Sequence, residues 1–279
     1  MRTLSVRLAA ALVAGLGLVA LCATAGAAEE AGGGWGTVKG RVVYKGQAPA
    51  PVKVNVDKDQ AHCLSKGDIY SEEWVVNPKN NGVKWAFVWL EPVPDPQNPA
   101  KHQKMPIKPD LKEIKDKTVV LDQPCCKFEP HCIAMRQGQV LVAKNSAPIA
   151  HNINWTGGNK NPGNNVIVPP GQEVKIEDLV ASNLPVTVKC NIHGWMQGWV
   201  RIFDHPYFAV TDADGNYEIK DAPAGDYMLV VWQEGAGWAE MKTVMAPNGK
   251  KVRIHGHKIT IKPDVVNEQK DLGIEKPAS

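Results

Sequence analysis

Apolar and polar residues alternate in short runs along most of the chain, and Gly, Pro, Asn and Asp separate the runs. Residues 36–44 alternate and break at Gly46 and Pro49. Residues 83–90 form a β-branched and aromatic run, stopped by Pro92, Pro94 and Pro96. Similar short runs at 140–144, 166–168, 174–176, 186–190, 199–203, 217–219, 227–232 and 259–261 predict strands. Asp214-Gly215, the stretch from Pro223 to Gly225, and Asn248-Gly249 are turn signals between them. No long 3.6-residue periodicity follows residue 27. The pattern predicts an all-β protein built as a sandwich or barrel. Residues 93–117, rich in Pro and Lys, are expected to form a long surface loop, and the polar residues 266–279 a frayed tail.

The N-terminus departs from this pattern. Arg2 and Arg7 precede an almost unbroken apolar run over residues 8–20, and Ala25-Gly26-Ala27 offers a small-residue cleavage site. This layout predicts an export signal over residues 1–27 and a periplasmic or extracellular, soluble mature protein. Cys22 offers a lipid anchor as an alternative, but Leu21 is larger than the residue that usually precedes such a cysteine. No later window has the ~18 apolar residues of a spanning helix. The first acidic residue is Glu29, so the chain beyond the signal is close to neutral, and no Lys/Arg run occurs. Nucleic acid is therefore not expected as a partner. With 279 residues the chain has room for one or two domains.

Export changes how the cysteines are read. Beyond Cys22 the chain holds Cys63, Cys125, Cys126, Cys132 and Cys190. In an oxidising compartment an odd number leaves at least one thiol unpaired or on a metal. Cys190-Asn-Ile-His193-Gly-Trp-Met196 places a thiolate, an imidazole and a thioether in one loop between two predicted strands. Two His and one Cys in a plane with a weak axial Met form a blue-copper electron-transfer site. His151, in Ala147-Pro-Ile-Ala-His151-Asn152, is the candidate second imidazole. The competing readings are Cys190 as a half-cystine with both histidines on surface loops, and zinc, for which a thioether is a poor ligand.

Asn145-Ser146, then His151-Asn152, then Cys-x-x-His-x-x-Met resembles the cupredoxins, the amicyanin type with its short ligand loop in particular. The resemblance covers residues 118–205 and implies a Greek-key sandwich holding one type 1 copper. It implies His151, Cys190, His193 and Met196 as ligands, and Asn152 as the residue that ties the two ligand loops together. Gly194 stands where such loops often carry Pro, which is expected to loosen the loop and expose the Met196 side.

The flanks carry a second likeness. Ala209-Val-Thr-Asp-Ala-Asp-Gly215-Asn-Tyr217, the run after Pro223-Ala-Gly225, and the opening Gly36-Thr-Val-Lys-Gly40-Arg-Val42 are similar to carboxypeptidase regulatory-like domains. Those are transthyretin-like β-sandwiches without catalytic residues. The expected division is an N-terminal β segment with its loop over 35–117, the copper module over 118–205, a regulatory-like module over 206–265 and the tail. Part of the N-terminal segment is open to membership in the regulatory-like sandwich, with the copper module inserted in it or fused to it. The whole resembles exported bacterial plastocyanin-like and methylamine-utilisation proteins. In those, a cysteine stands five residues before a histidine, as Cys126 does before His131. The resemblance implies a Cys63–Cys126 disulfide. Cys125 and Cys132 are left to pair with each other or to take Cys63 instead, since spacing does not settle connectivity.

The function implied is a non-enzymatic one-electron carrier. Trp195, beside His193, is the expected electron-exit patch, with the His193 ring edge and Met196 completing an apolar docking surface. A c-type cytochrome or a periplasmic oxidoreductase is the expected transient partner. Copper delivery, or a structural sandwich with a degenerate site and Cys190 in a disulfide, are the alternatives. His255-Gly-His257, on one face of a strand, is compatible with a type 2 copper that would make an enzyme, but no third ligand is evident. His131 is expected to cap a strand, with a His131–Cys132 metal site as its rival. His62, His102 and His205 read as surface or turn residues. No phosphate loop or hydrolase motif occurs.

Overall fold

The computed structural model describes residues 33–277, so the expected signal and Cys22 lie outside the described residues. Among those residues no helix is long and apolar enough to cross a membrane. Among the described residues helix is confined to the short segments Gln60–Cys63, Pro109–Lys112 and Gly158–Lys160, and the fold is an all-β sandwich architecture.

One five-stranded sheet runs Cys132–Arg136, Gln197–Phe203, Val186–Lys189, His151–Gly157, Asn161–Val168. A three-stranded sheet of Thr118–Leu121, Val140–Lys144 and Glu173–Ile176 shares a core with it, including Leu121, Met135, Leu141, Ile153, Val188 and Ile202. A second core, with Val38, Val42, Val88, Leu90, Ile219, Leu229 and Ile259, lies between two further sheets. One is centred on Trp35–Tyr44, antiparallel to Asn216–Pro223. The other joins Phe208–Val210, Phe87–Pro92 and Gly225–Gln233, with Gly237–Trp238 and His257–Ile261 alongside. The Asp212–Asn216 turn fits closely against the first of these sheets. Gly215 has φ +78°, and a Cβ on it would stand 2.3 Å from the Val42 carbonyl oxygen, so only glycine fits there.

A third apolar cluster joins the two halves. Phe87, Trp89, Met228, Val230 and Trp232 point away from the second core and meet Cys132 and Phe203 on the back of the five-stranded sheet. Residues 87–90 and 228–232 are thus covered on both faces, which explains why they read as continuous apolar runs rather than alternating ones. Arg201 lies in this junction, 4 % exposed, with its guanidinium carbon 4.8 Å from the Trp89 ring and 5.1 Å from the Phe203 ring. Burial pushes its pKa down to about 10.

Three expectations are corrected. The tail is ordered: Val266–Glu268 and Leu272–Ile274 pair parallel to Trp35–Tyr44, and Ile274 is buried. Its polar composition concealed this because three-residue strands take their order from the partner strand. The loop over 93–117 is irregular but anchored, since Met105 is buried in the second core and Lys108 N–H donates to the Tyr207 hydroxyl at 3.0 Å. His205 does lie in a bend, after Gln197–Phe203, but it is buried rather than on the surface.

His205 therefore makes stability depend on pH. Burial, reinforced by Arg201, Arg136 and His102 and opposed by Asp204, holds its pKa down to about 4. The ring is neutral in the fold and accepts the Tyr207 N–H at 3.1 Å. In the unfolded chain it protonates near ~6.5. Between these values the unfolded state binds more protons, so stability falls as the pH drops from about 6.5 to about 4, by up to ~3 kcal/mol for this group. Thermal melts across that range should show a steeper decline for the native chain than for His205→Gln, and equal slopes would remove His205 as a cause.

Candidate metal centre

Antiparallel pairing assembles the site. Asn154 is opposite Lys189 and Trp155 opposite Val188, so the strand that begins at His151 lies beside the one that ends at Lys189. His151 and Cys190 thereby meet at one end of the sheet. The loop after Cys190 is closed by two backbone bonds, Met196 N to His193 O at 2.9 Å and Cys190 N to Met196 O at 3.2 Å. This tight turn returns His193 to the same point.

The Cys190 Sγ lies 3.9 Å from His151 Nδ1 and 3.9 Å from His193 Nδ1, and the two nitrogens are 3.0 Å apart. His151 and His193 are 0 % exposed and Cys190 is 2 % exposed. An ion at the centre of such a triangle stands ~2.1 Å from each atom, within the usual metal–nitrogen and metal–sulfur range of ~2.0–2.3 Å. The donor set of two imidazoles and one thiol suits copper. Met196 is buried in the same core cluster as Cys190. Burial, then the adjacent His193 and His62 rings, push His151 down to about 4, so its ring is uncharged near neutral pH. Cys190 is a free thiol, as are Cys125 and Cys132.

Asn152 links the segments that carry His151 and Cys190. Its Oδ1 accepts from Asn191 N at 2.8 Å, Ile192 N at 3.1 Å and Cys190 Sγ at 3.2 Å, while its Nδ2 donates to Asn165 Oδ1 at 2.7 Å. Asn145 Nδ2 donates to the carbonyls of Ile149 and Val168, both at 2.8 Å, and shapes the turn before His151.

The surface around His193 is not as expected. Its ring edge does not reach solvent, because residues far upstream of the Cys190 loop cover it. Asp59 Oδ2 accepts from His193 Nε2 at 2.8 Å, and the turn Gln60–Cys63 follows directly. Cys63 is joined to Cys126, closing a loop of 63 residues, worth ~4 kcal/mol in chain entropy. This disulfide lies within 4.8 Å of a His193 nitrogen. Met196 is also buried despite Gly194, beside which a Cβ would meet open space. Trp195 is half-buried, edge-on to the His193 ring at 5.2 Å between centroids, and its indole N–H donates to the Cys126 carbonyl at 3.1 Å. Asp59 was not legible in advance: it stands in a polar stretch without periodicity.

The remaining candidates are dispersed. His255 and His257 end and begin successive strands across Gly256, not one strand face. His255 stacks on Trp238 at 3.7 Å, and His257 Nδ1 is 3.3 Å from Glu240. His131 is buried just before Cys132–Arg136, with Nε2 2.5 Å from Glu234 Oε1. Cys132 points into the junction cluster, and burial pushes its thiol well up.

No family model matches the chain, and no curated protein matches it. Among solved structures it is similar to amicyanin. A reduced tryptophan-to-tyrosine variant of amicyanin is 19 % identical, covering 33 % of this chain and 87 % of that one, with a TM-score of 0.29. The Cu(I) form of a methionine-to-alanine variant is 18 % identical over the same shares, with a TM-score of 0.29. An oxidised proline-to-glycine variant is 20 % identical, covering 33 % of this chain and 89 % of that one, with a TM-score of 0.28.

Proposed function

We propose that this protein is an exported one-electron carrier with a single type 1 copper held by His151, Cys190, His193 and Met196. The observation that carries this reading is the buried triangle of one thiol sulfur and two imidazole nitrogens, its atoms within 4.8 Å of one another. Copper bound there supplies reversible one-electron exchange at near-constant geometry. The protein's part is to hold the donors in place. His151 presents a neutral ring, Asn152 locks the Cys190 segment to the His151 strand, and burial keeps water from the thiolate.

With the His193 edge covered, Trp195 is the route we assign for electron exit. It touches the His193 ring edge-on and lines a cavity of about 280 Å³ with Met196, Trp199 and Glu234. A c-type cytochrome or a periplasmic oxidoreductase is the proposed partner, docking transiently as redox proteins do. The outer sandwich is read as a regulatory-like scaffold in which the copper module over 118–205 is inserted. Pairing of Trp35–Tyr44 with Asn216–Pro223 supports this.

Optical and EPR spectra of the copper-loaded protein test the reading. An intense blue thiolate-to-copper band with narrow copper hyperfine splitting is expected. A colourless protein that binds only Cu(I) would replace electron transfer with copper handling, and one that binds neither form would leave a structural sandwich.

A further inference from the structure

Asp59 is built as if for another task. It stands at the N-cap of Gln60–Cys63, where an aspartate carboxylate ordinarily accepts the free N–H groups of the first turn. Here no side-chain cap bond forms. The backbone carbonyl of Asp59 takes the His62 and Cys63 N–H groups instead, at 3.0 and 2.9 Å. The carboxylate is turned to His193 Nε2 at 2.8 Å. The residue holds a left-handed conformation, φ 46° and ψ 37°, which costs of order 1 kcal/mol for a residue other than glycine.

The segment that carries Asp59 is fixed on several sides. Val54 N–H bonds to the Ile69 carbonyl at 3.0 Å, Val56 and Cys63 are buried in the core that holds Cys190, and the disulfide to Cys126 fastens its far end. The carboxylate is therefore delivered to the ring by the fold, and 40 % of its side chain is still exposed to water.

A carboxylate only accepts hydrogen bonds, so Nε2 of His193 carries the proton and the lone pair sits on Nδ1. That is the nitrogen facing Cys190 and His151. His151 has no such support, for its buried Nε2 has no hydrogen-bond partner. We propose that Asp59 is a positioning residue of the metal centre. It fixes the His193 tautomer, orients the ring and strengthens Nδ1 as a donor, favouring the more highly charged state of the bound metal. This rests on the copper reading for its redox consequence, and on the metal-free protein for its structural one.

Two variants test it, Asp59→Asn, which keeps the size and an acceptor but loses the charge, and Asp59→Leu, which loses both. In the metal-free protein, long-range ¹H–¹⁵N spectra of the imidazoles should show His193 protonated at Nε2 in the native chain. In the Leu variant the two tautomers should mix. In the copper-loaded protein, Asp59→Asn should weaken Cu(II) binding about tenfold relative to Cu(I). That ratio corresponds to a midpoint potential ~59 mV higher. An unchanged tautomer in the Leu variant, or a ratio of Cu(II) to Cu(I) affinity within twofold of native in both variants, which is a potential within ~18 mV, would overturn the proposal. If the native chain takes up no copper, the copper reading fails, and the tautomer spectra still decide the role of Asp59.

Discussion

Replacing Cys190 with serine should abolish the blue band of the copper-loaded protein and leave the fold intact. The band requires a thiolate as the electron donor to copper, and a serine hydroxyl is a hard, weakly acidic oxygen that cannot take that role. The fold should survive because the change is nearly isosteric. The Cys190 N to Met196 O bond is backbone and persists, and the new hydroxyl finds an acceptor already in place in Asn152 Oδ1, now 3.2 Å from the sulfur. A buried hydroxyl with a partner costs little. The expected result is loss of colour with the metal-free melting temperature shifted by no more than a few degrees. Persistent colour would remove Cys190 from the ligand set, whereas a collapsed fold would make its role structural.

Trp89→Ala should lower stability by ~3–5 kcal/mol, the range for deleting a buried aromatic side chain. Trp89 is 1 % exposed and contacts Phe203, Trp238 and the Arg201 guanidinium. Its removal opens a cavity and also takes away the aromatic face over a buried cation. Because it belongs to the cluster between the two sandwich cores, its loss should act on both. Denaturant unfolding followed by tryptophan fluorescence, and by hydrogen exchange at Val188 in one core and Ile219 in the other, should give coincident transitions in the native chain. The variant should shift both to lower denaturant. A shift confined to one core would show that the halves are independent.

The strands were legible where side chains repeat with a period of two or run apolar without a break, as at 140–144 and 227–232. They were missed where pairing supplies what propensity does not. His151–Gly157 carries His and Asn at buried positions, and Leu272–Ile274 is ordered by a parallel neighbour more than two hundred residues upstream in the chain. The Cys190 loop declared its chemistry because its three soft side chains are close in sequence. The cover over His193 did not, because it comes from a segment that only a disulfide and a few core contacts bring back. Local spacing encodes a loop, whereas the surface above a loop is encoded by distant sequence.

The pairing of the first strand has a consequence for biosynthesis. Trp35–Tyr44 emerges early, yet every strand that lies beside it belongs to the last quarter of the chain. Until those residues arrive only its Val42–Tyr44 end is bonded, to residues 81–83, and open edges like the rest invite association with other chains. The strands of 118–203 find all their sheet partners within that segment, although Val56, Cys63 and Ile69 also enter its core. Pairing of Trp35–Tyr44 with its late partners is expected to be slow, as for strands joined across long sequence distances. A chain truncated before Val266 should therefore leave Trp35–Tyr44 with an open edge and be prone to aggregate, even with the Cys190 loop whole.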